Sequence, residues 1–167
     1  MKKLLIVIAF SFLTATTFAA PGKDSKDDVK KVSYTALRQF EENFKDAKDV
    51  SWKVTSLFVK ASFTTEGKKM AALYDLQGEF LGAVEYLNYQ ELPLKSRVEI
   101  EKRYKDFSFS SALKIVTRPS NNSDFNDVGT YWVDLTNDVK QLYISISPSL
   151  TVALHKSIAI AATTARN

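Results

Sequence analysis

The sequence has no cysteine and one histidine, His155, and its 167 residues include only five glycines and four prolines. Each scarcity removes a class of chemistry. Without cysteine there is no disulfide framework, no thiol nucleophile, no thiolate metal site and no lipoprotein anchor. A Ser-His-Asp triad would have to use His155, which lies in the last strand-like stretch with no nucleophile elbow nearby. The five glycines form no phosphate-cradling loop. Asp124, Asn126 and Asp127 are close in sequence but lack calcium-loop spacing, so they read as loop solvation. Glu41 and Glu42 read as a solvated helix face. The expectation is therefore a protein with no catalytic, cofactor-binding or metal-ligating residues: not an enzyme, and without a cofactor.

Long apolar runs are lacking too. Leu4 to Leu13 is nearly unbroken, but as a helix it reaches only about 15 Å, half of a bilayer core. Lys2 and Lys3 precede it, and the mostly small Thr14–Ala20 stretch follows. Basic, apolar, then small is the order of an export signal. Thr17 and Ala19 supply small residues three places and one place before a cut between Ala19 and Ala20. A cut after Ala20 would put Phe18 at the third place and Pro21 just beyond the bond. Residues 1–19 thus read as a signal peptide. The expected product is periplasmic or secreted, with no membrane insertion after cleavage.

Charge excludes a further partner class. Removing residues 1–19 takes two lysines and no acid from 23 basic and 19 acidic residues, so the net charge falls from +4 to about +2. A balanced surface without a clustered basic face gives no support for nucleic-acid binding.

What is present is periodicity. Residues 20–31 are a polar leader with little to bury. Val32, Ala36, Leu37, Phe40 and Phe44 recur at helical spacing, Ser33 can cap the start, and the helix should stop near Asp46. Val50, Trp52 and Val54 then alternate with polar residues, as do Val59, Ala61 and Phe63. Thr65-Glu66-Gly67-Lys68 is a turn. Met70–Leu76 and Phe80–Leu87 are two more strands around the turn at Gln77-Gly78. Leu92-Pro93 breaks the chain, and Pro93 suits the first turn of a second helix marked by Leu94, Val98, Glu101 and Tyr104. Ser111–Val116, Tyr131–Leu135, Gln141–Ser147 and Leu150–His155 read as four further strands.

The order of elements repeats. At an offset of 60, Glu41, Phe44, Lys45, Asp46 and Ser51 meet Glu101, Tyr104, Lys105, Asp106 and Ser111. At an offset of 72, Val59, Ala61 and Phe63 meet Tyr131, Val133 and Leu135, and Met70, Ala72 and Tyr74 meet Leu142, Ile144 and Ile146. Inward positions meet inward positions, and the loop from Arg118 to Gly129 absorbs the difference. The organisation that follows is 1–19 signal peptide, 20–31 leader, 32–90 first α+β unit, 91–157 second α+β unit, and 158–167 C-terminal tail. Phe40, Phe44, Trp52, Phe63, Tyr74, Tyr104, Val133, Ile144 and Val152 should be buried between helices and sheet.

A family resemblance rests on particular stretches: Ala47 to Lys53 with Trp52, Phe63 to Lys69, and Tyr74 to Phe80 with Gln77-Gly78. Leu92-Pro93 with Val98, Ile100 and Tyr104 continues it. The chain resembles the PepSY-like, beta-lactamase-inhibitor-like proteins exported by Bacteroides-type bacteria, over most of residues 33–155. The Ser120–Asp127 loop and the turn at Asn137-Asp138 depart from that pattern. The resemblance implies an α+β fold of tandem helix-plus-four-stranded antiparallel units, a curved sheet with helices on one face, and no catalytic residues.

Facing then yields a candidate surface. If Tyr131, Val133 and Leu135 point toward the helices, Trp132 and Asp134 point away. The same rule turns Tyr143 and Ser145 outward, and in the first unit Leu73, Leu81, Lys60 and Ser62. Trp132, Tyr143, Leu73 and Leu81 among Lys60 and Asp134 are the candidate partner-binding residues, because aromatic anchors in a polar surround suit protein docking. The reading is an exported, non-enzymatic binding module for a protein partner. An inhibitor or folding assistant of an exported hydrolase is a sharper form of it. A small-ligand carrier is the alternative, and a homodimer through the same face stays open.

Overall fold

The computed structural model describes residues 28–119 and 126–160. The signal peptide, its cleavage point, most of the leader, Asp124 and the end of the C-terminal tail lie outside these. The chain is an α+β protein. Helix α1 (Tyr34–Asn43) precedes β1 (Lys48–Val54), β2 (Val59–Thr65), β3 (Lys68–Tyr74) and β4 (Phe80–Leu87). A 3-10 turn at Tyr89–Glu91 and helix α2 (Leu94–Arg103) lead to β5 (Ser108–Thr117), β6 (Tyr131–Thr136), β7 (Lys140–Ile146) and β8 (Val152–Ala159). The strands stand in chain order in one sheet. Among the described residues there are two compact units. One is drawn from residues up to Glu85 and from Val116–Asn126, the other from Tyr86–Ile115 and from Asp127 onward.

In the first unit, α1 forms where Val32, Ala36 and Phe40 make an apolar stripe, and these three are buried against the sheet. The Ala36 amide donates to Ser33 Oγ at 3.2 Å, so the cap read from the sequence is in place. Phe40 centres an aromatic cluster, with ring centroids 5.2 Å from Trp52 and 5.1 Å from Phe63. The β2–β3 hairpin closes through Glu66 and Gly67, with φ of 49° and 75°. Positive φ at both positions matches the right-handed twist of the flanking strands. Val50 departs from expectation. A bulge between Lys48 and Ser51, with Asp49 at φ 53°, breaks the alternation, so Val50 is exposed rather than buried.

Gly78 ties the β3–β4 turn to the helix cap. It has φ +93°, and a Cβ there would run into the Ser33 hydroxyl and lie 3.0 Å from the Ala36 amide nitrogen. Gly78→Ala should therefore cost about 1–2 kcal/mol, through left-handed strain and a disturbed cap. Denaturant unfolding of Gly78→Ala, Ser33→Ala and the double variant checks this. The two losses should overlap; fully additive losses would show that Gly78 acts apart from the cap.

In the second unit, Leu92, Ile100, Ala112, Val133, Leu135, Leu142, Ile144, Ile146 and Val152 form the core. Here the helical phase read from Leu94 and Val98 is corrected. These two are 66% and 58% exposed, whereas Ser96 and Ile100 are buried. Ser96 and Ile100 are four residues apart and share the buried face of α2, with Leu92 packed into the same core from just before the helix. Pro93 is the residue preceding α2 rather than a member of its first turn. Tyr104 and Phe44 flank their cores half-buried; the other seven residues expected in the core are buried. Strand β8 runs on through Ala159, past the expected end at His155.

Candidate functional site

The face of each unit that α1 or α2 leaves uncovered follows from strand register. In the second unit one row crosses the strands as Leu113, Trp132, Ser145 and Ala153. The next row is Ser111, Asp134, Tyr143 and Lys156. None of these joins the helix-side core. The outward facing of Trp132, Asp134, Tyr143 and Ser145 is as the alternation predicts.

The depth of these side chains is not. Asp134 is 5% exposed, Ser145 is buried, and Trp132 and Tyr143 are half-buried. Asp134 is recessed between Ser111 and Tyr143 on the adjoining strands. The Ser111 hydroxyl donates to Asp134 Oδ2 at 3.0 Å. Burial pushes the Asp134 carboxyl up to about 6, against the smaller downward pull of that hydrogen bond. Burial also raises the Tyr143 phenol, helped by the negative charge of Asp134.

His155 joins this face, which the sequence reading did not foresee. A bulge between Tyr143 and Ile144 in the β7–β8 pairing leaves His155 unpaired in register. Its ring lies 4.7 Å from that of Trp132, and Nε2 is 2.8 Å from Ser145 Oγ. The signal was available, since with Val152 facing the helix, His155 three residues later faces away. A serine and a histidine in contact could transfer a proton. Among the described residues, however, no carboxylate hydrogen-bonds His155, and the strand amides around Ser145 belong to the sheet ladder, so no oxyanion donors are aimed at it. Nor, among the described residues, do three or more His, Asp or Glu cluster as a metal site.

In the first unit the corresponding rows are Lys53, Lys60, Leu73 and Gly82, then Ser51, Ser62, Ala71 and Val84. Lys60 and Leu73 are thus direct neighbours, but at 7% and 3% exposure they are sunk into the face, not displayed on it. Each is flanked on both sides by strands, and Lys60 has its stem between Lys53 and Leu73. Leu81 is the extra residue of a bulge between Phe80 and Gly82 and is half-buried. Its carbonyl accepts from Arg118 Nη1 at 3.0 Å. On the helix side, Leu37, Phe40, Glu41, Phe44, Ala47 and Trp52 border a cleft of about 440 Å³ beside β1.

Helix on one face, residues in register on the other, and strands in chain order together define a recognisable architecture. The fold is BLIP-like. The chain is similar to the crystal structure of a BLIP-like protein from Bacteroides fragilis, with a TM-score of 0.61 and 12% identity over 81% of this chain and 92% of that one. It is similar also to DUF2874 family proteins from Bacteroides ovatus, with TM-score 0.62 and 12% identity over 80% and 92% of the two chains. The Bacteroides uniformis DUF2874 protein gives 0.61 and 12% over 79% and 92%. No protein-family model and no curated protein sequence matches the chain. These likenesses establish the BLIP-like fold; they assign no ligand. Among the described residues no helix is long and apolar enough to cross a membrane.

Proposed function

We propose that the chain is an exported, non-enzymatic binding module that docks a protein partner on the open face of its sheet. The observation that carries this reading is the second-unit face. Trp132, two residues along β6, and Tyr143, across on β7, stand half-buried beside a recessed Asp134, and among the described residues they lie outside the helix-side core of that unit. Rigid aromatic rings beside one desolvated polar group are the make-up of an interface hot spot. Half-buried Leu81 and the Lys60 position extend the reading to the open face of the first unit, with Leu73 sunk between its strand neighbours. The two helix-then-four-strand units are read as tandem repeats of one curved sheet, supported by the repeated element order and the matching inward positions. The Lys2-Lys3 start and the Leu4–Leu13 run support a periplasmic or secreted location. Inhibition or folding assistance of an exported hydrolase is the sharper form of the same docking. A small-ligand carrier has the α1–β1 cleft in its favour.

The test is capture from a periplasmic extract by the immobilised protein, with affinity re-measured against the purified captured protein. The Trp132→Ala, Tyr143→Ala double variant should unfold at nearly the native denaturant concentration and bind at least about tenfold more weakly, about 1.4 kcal/mol. Undiminished binding by the folded variant would place the partner elsewhere. Unfolding of the variant would make those rings core.

A further inference from the structure

Lys60 buries its stem in the first-unit face, while its amine is not among the buried atoms left without a partner. It is 7% exposed, and lysines are almost never so buried unless paired. Among the described residues it makes no hydrogen bond and no ion pair. Its register neighbour on β1 is another lysine, Lys53, and on β3 it is Leu73. Like charges directly opposed on one sheet face repel. Burial, with the Lys53 charge beside it, lowers the affinity of the Lys60 amine for its proton. The chain pairs cations elsewhere: Lys68 reaches Glu85 at 3.1 Å, and Arg103 reaches Glu99 at 2.7 Å. The next register row on the same face holds Ser51 opposite Ser62, so two hydroxyls adjoin the two amines. Four side-chain donors gather where, among the described residues, no side-chain acceptor is hydrogen-bonded to them.

We infer that Lys53, Lys60, Ser51 and Ser62 form a recognition point for a carboxylate carried by an acidic segment of the docked protein. The inference rests on the open-face docking reading and names the chemistry of its first-unit contact. A carboxylate satisfies the geometry in two ways. Its charge offsets the repulsion between the lysines and the desolvation of Lys60, and its second oxygen can accept from a serine hydroxyl. A phosphate fits less well. Phosphate sites commonly add free backbone N–H groups at helix N-termini or nests to their lysines, and on this face the β1 and β2 amides belong to the sheet plane. Only side-chain donors project from it.

The experiment follows the lysine side-chain resonances of the mature protein by NMR, at constant ionic strength. One arm adds an acetylated, amidated hexaglutamate peptide and the other adds inorganic phosphate. The peptide should shift Lys60 and Lys53 selectively and raise the pH at which Lys60 titrates, and phosphate should do so at least tenfold more weakly. Lys60→Met should bind the peptide about tenfold more weakly while melting at the same temperature or higher, because the free protein is relieved of the repulsion between Lys60 and Lys53. Phosphate matching the peptide would overturn the carboxylate assignment. So would an equal response from lysines outside the site, native peptide affinity in Lys60→Met, or a variant that melts well below the native protein. Failure here, with the Trp132→Ala, Tyr143→Ala variant still losing its captured partner, would remove the carboxylate contact and leave the docking reading standing.

Discussion

Replacing Phe63 by alanine should lower the unfolding free energy by about 3–5 kcal/mol. Phe63 is 3% exposed and sits on β2 opposite Met70. Its ring is 5.1 Å from that of Phe40 and 4.8 Å from that of Phe44, so one truncation strips contacts from both of these phenylalanines. The remaining neighbours cannot collapse freely into the gap. Phe40 is also held by Trp52 at 5.2 Å, and Trp52 by Tyr74 at 5.9 Å. Rings locked by several partners leave a cavity rather than fill it, which puts the site toward the costly end of such substitutions. A small domain has only about 5–15 kcal/mol to lose. Guanidinium unfolding of wild type and variant, with unchanged m-value, is the measurement. A loss below about 1 kcal/mol would show that Phe63 does not anchor α1 to the sheet.

How far the sequence could be read depended on whether backbone regularity held. In α1 the apolar stripe is unbroken and ends in aromatic residues, so its phase, its Ser33 cap and its buried partners were all legible. In α2 the apolar residues mislead. Leu94 and Val98 have helical spacing but lie in solvent, while the buried face holds Ser96, a polar residue. Hydrophobic periodicity cannot reveal a contact position held by a polar residue. Alternation gave the facing of Trp132, Asp134, Tyr143, Lys60 and Leu73, because strand period is fixed by geometry. It failed at Val50, where a bulge adds a residue. Depth was not legible for the same candidates. Whether Lys60 or Asp134 stands proud or sinks depends on its neighbours across two strand pairings, and a single strand does not contain that information.

Asp134 carries the second large effect, and it is one of pH. An unfolded aspartate titrates near 3.9, whereas the folded carboxyl is pushed up to about 6 by burial. Between those values the folded chain holds a proton that the unfolded chain releases. The contribution of Asp134 to stability is therefore fully present below about pH 4, falls as pH rises, and is lost above about pH 6. The difference amounts to about 2–3 kcal/mol. Asn in place of Asp134 keeps an oxygen to accept from Ser111 and cannot ionise. Asp134→Asn should match wild type at pH 4 and exceed it by about 2–3 kcal/mol at pH 7.5, in unfolding curves taken across that range. Every other carboxylate titrates in both proteins, so the difference isolates this one. Parallel pH profiles would show that Asp134 ionises in the folded protein as freely as in water. If the gap opens as expected, the native chain keeps at neutral pH a recessed charge that weakens its own fold. On the docking reading proposed above, that charge is one the partner meets, so Asp134→Asn should gain stability at pH 7.5 and lose affinity for the captured partner.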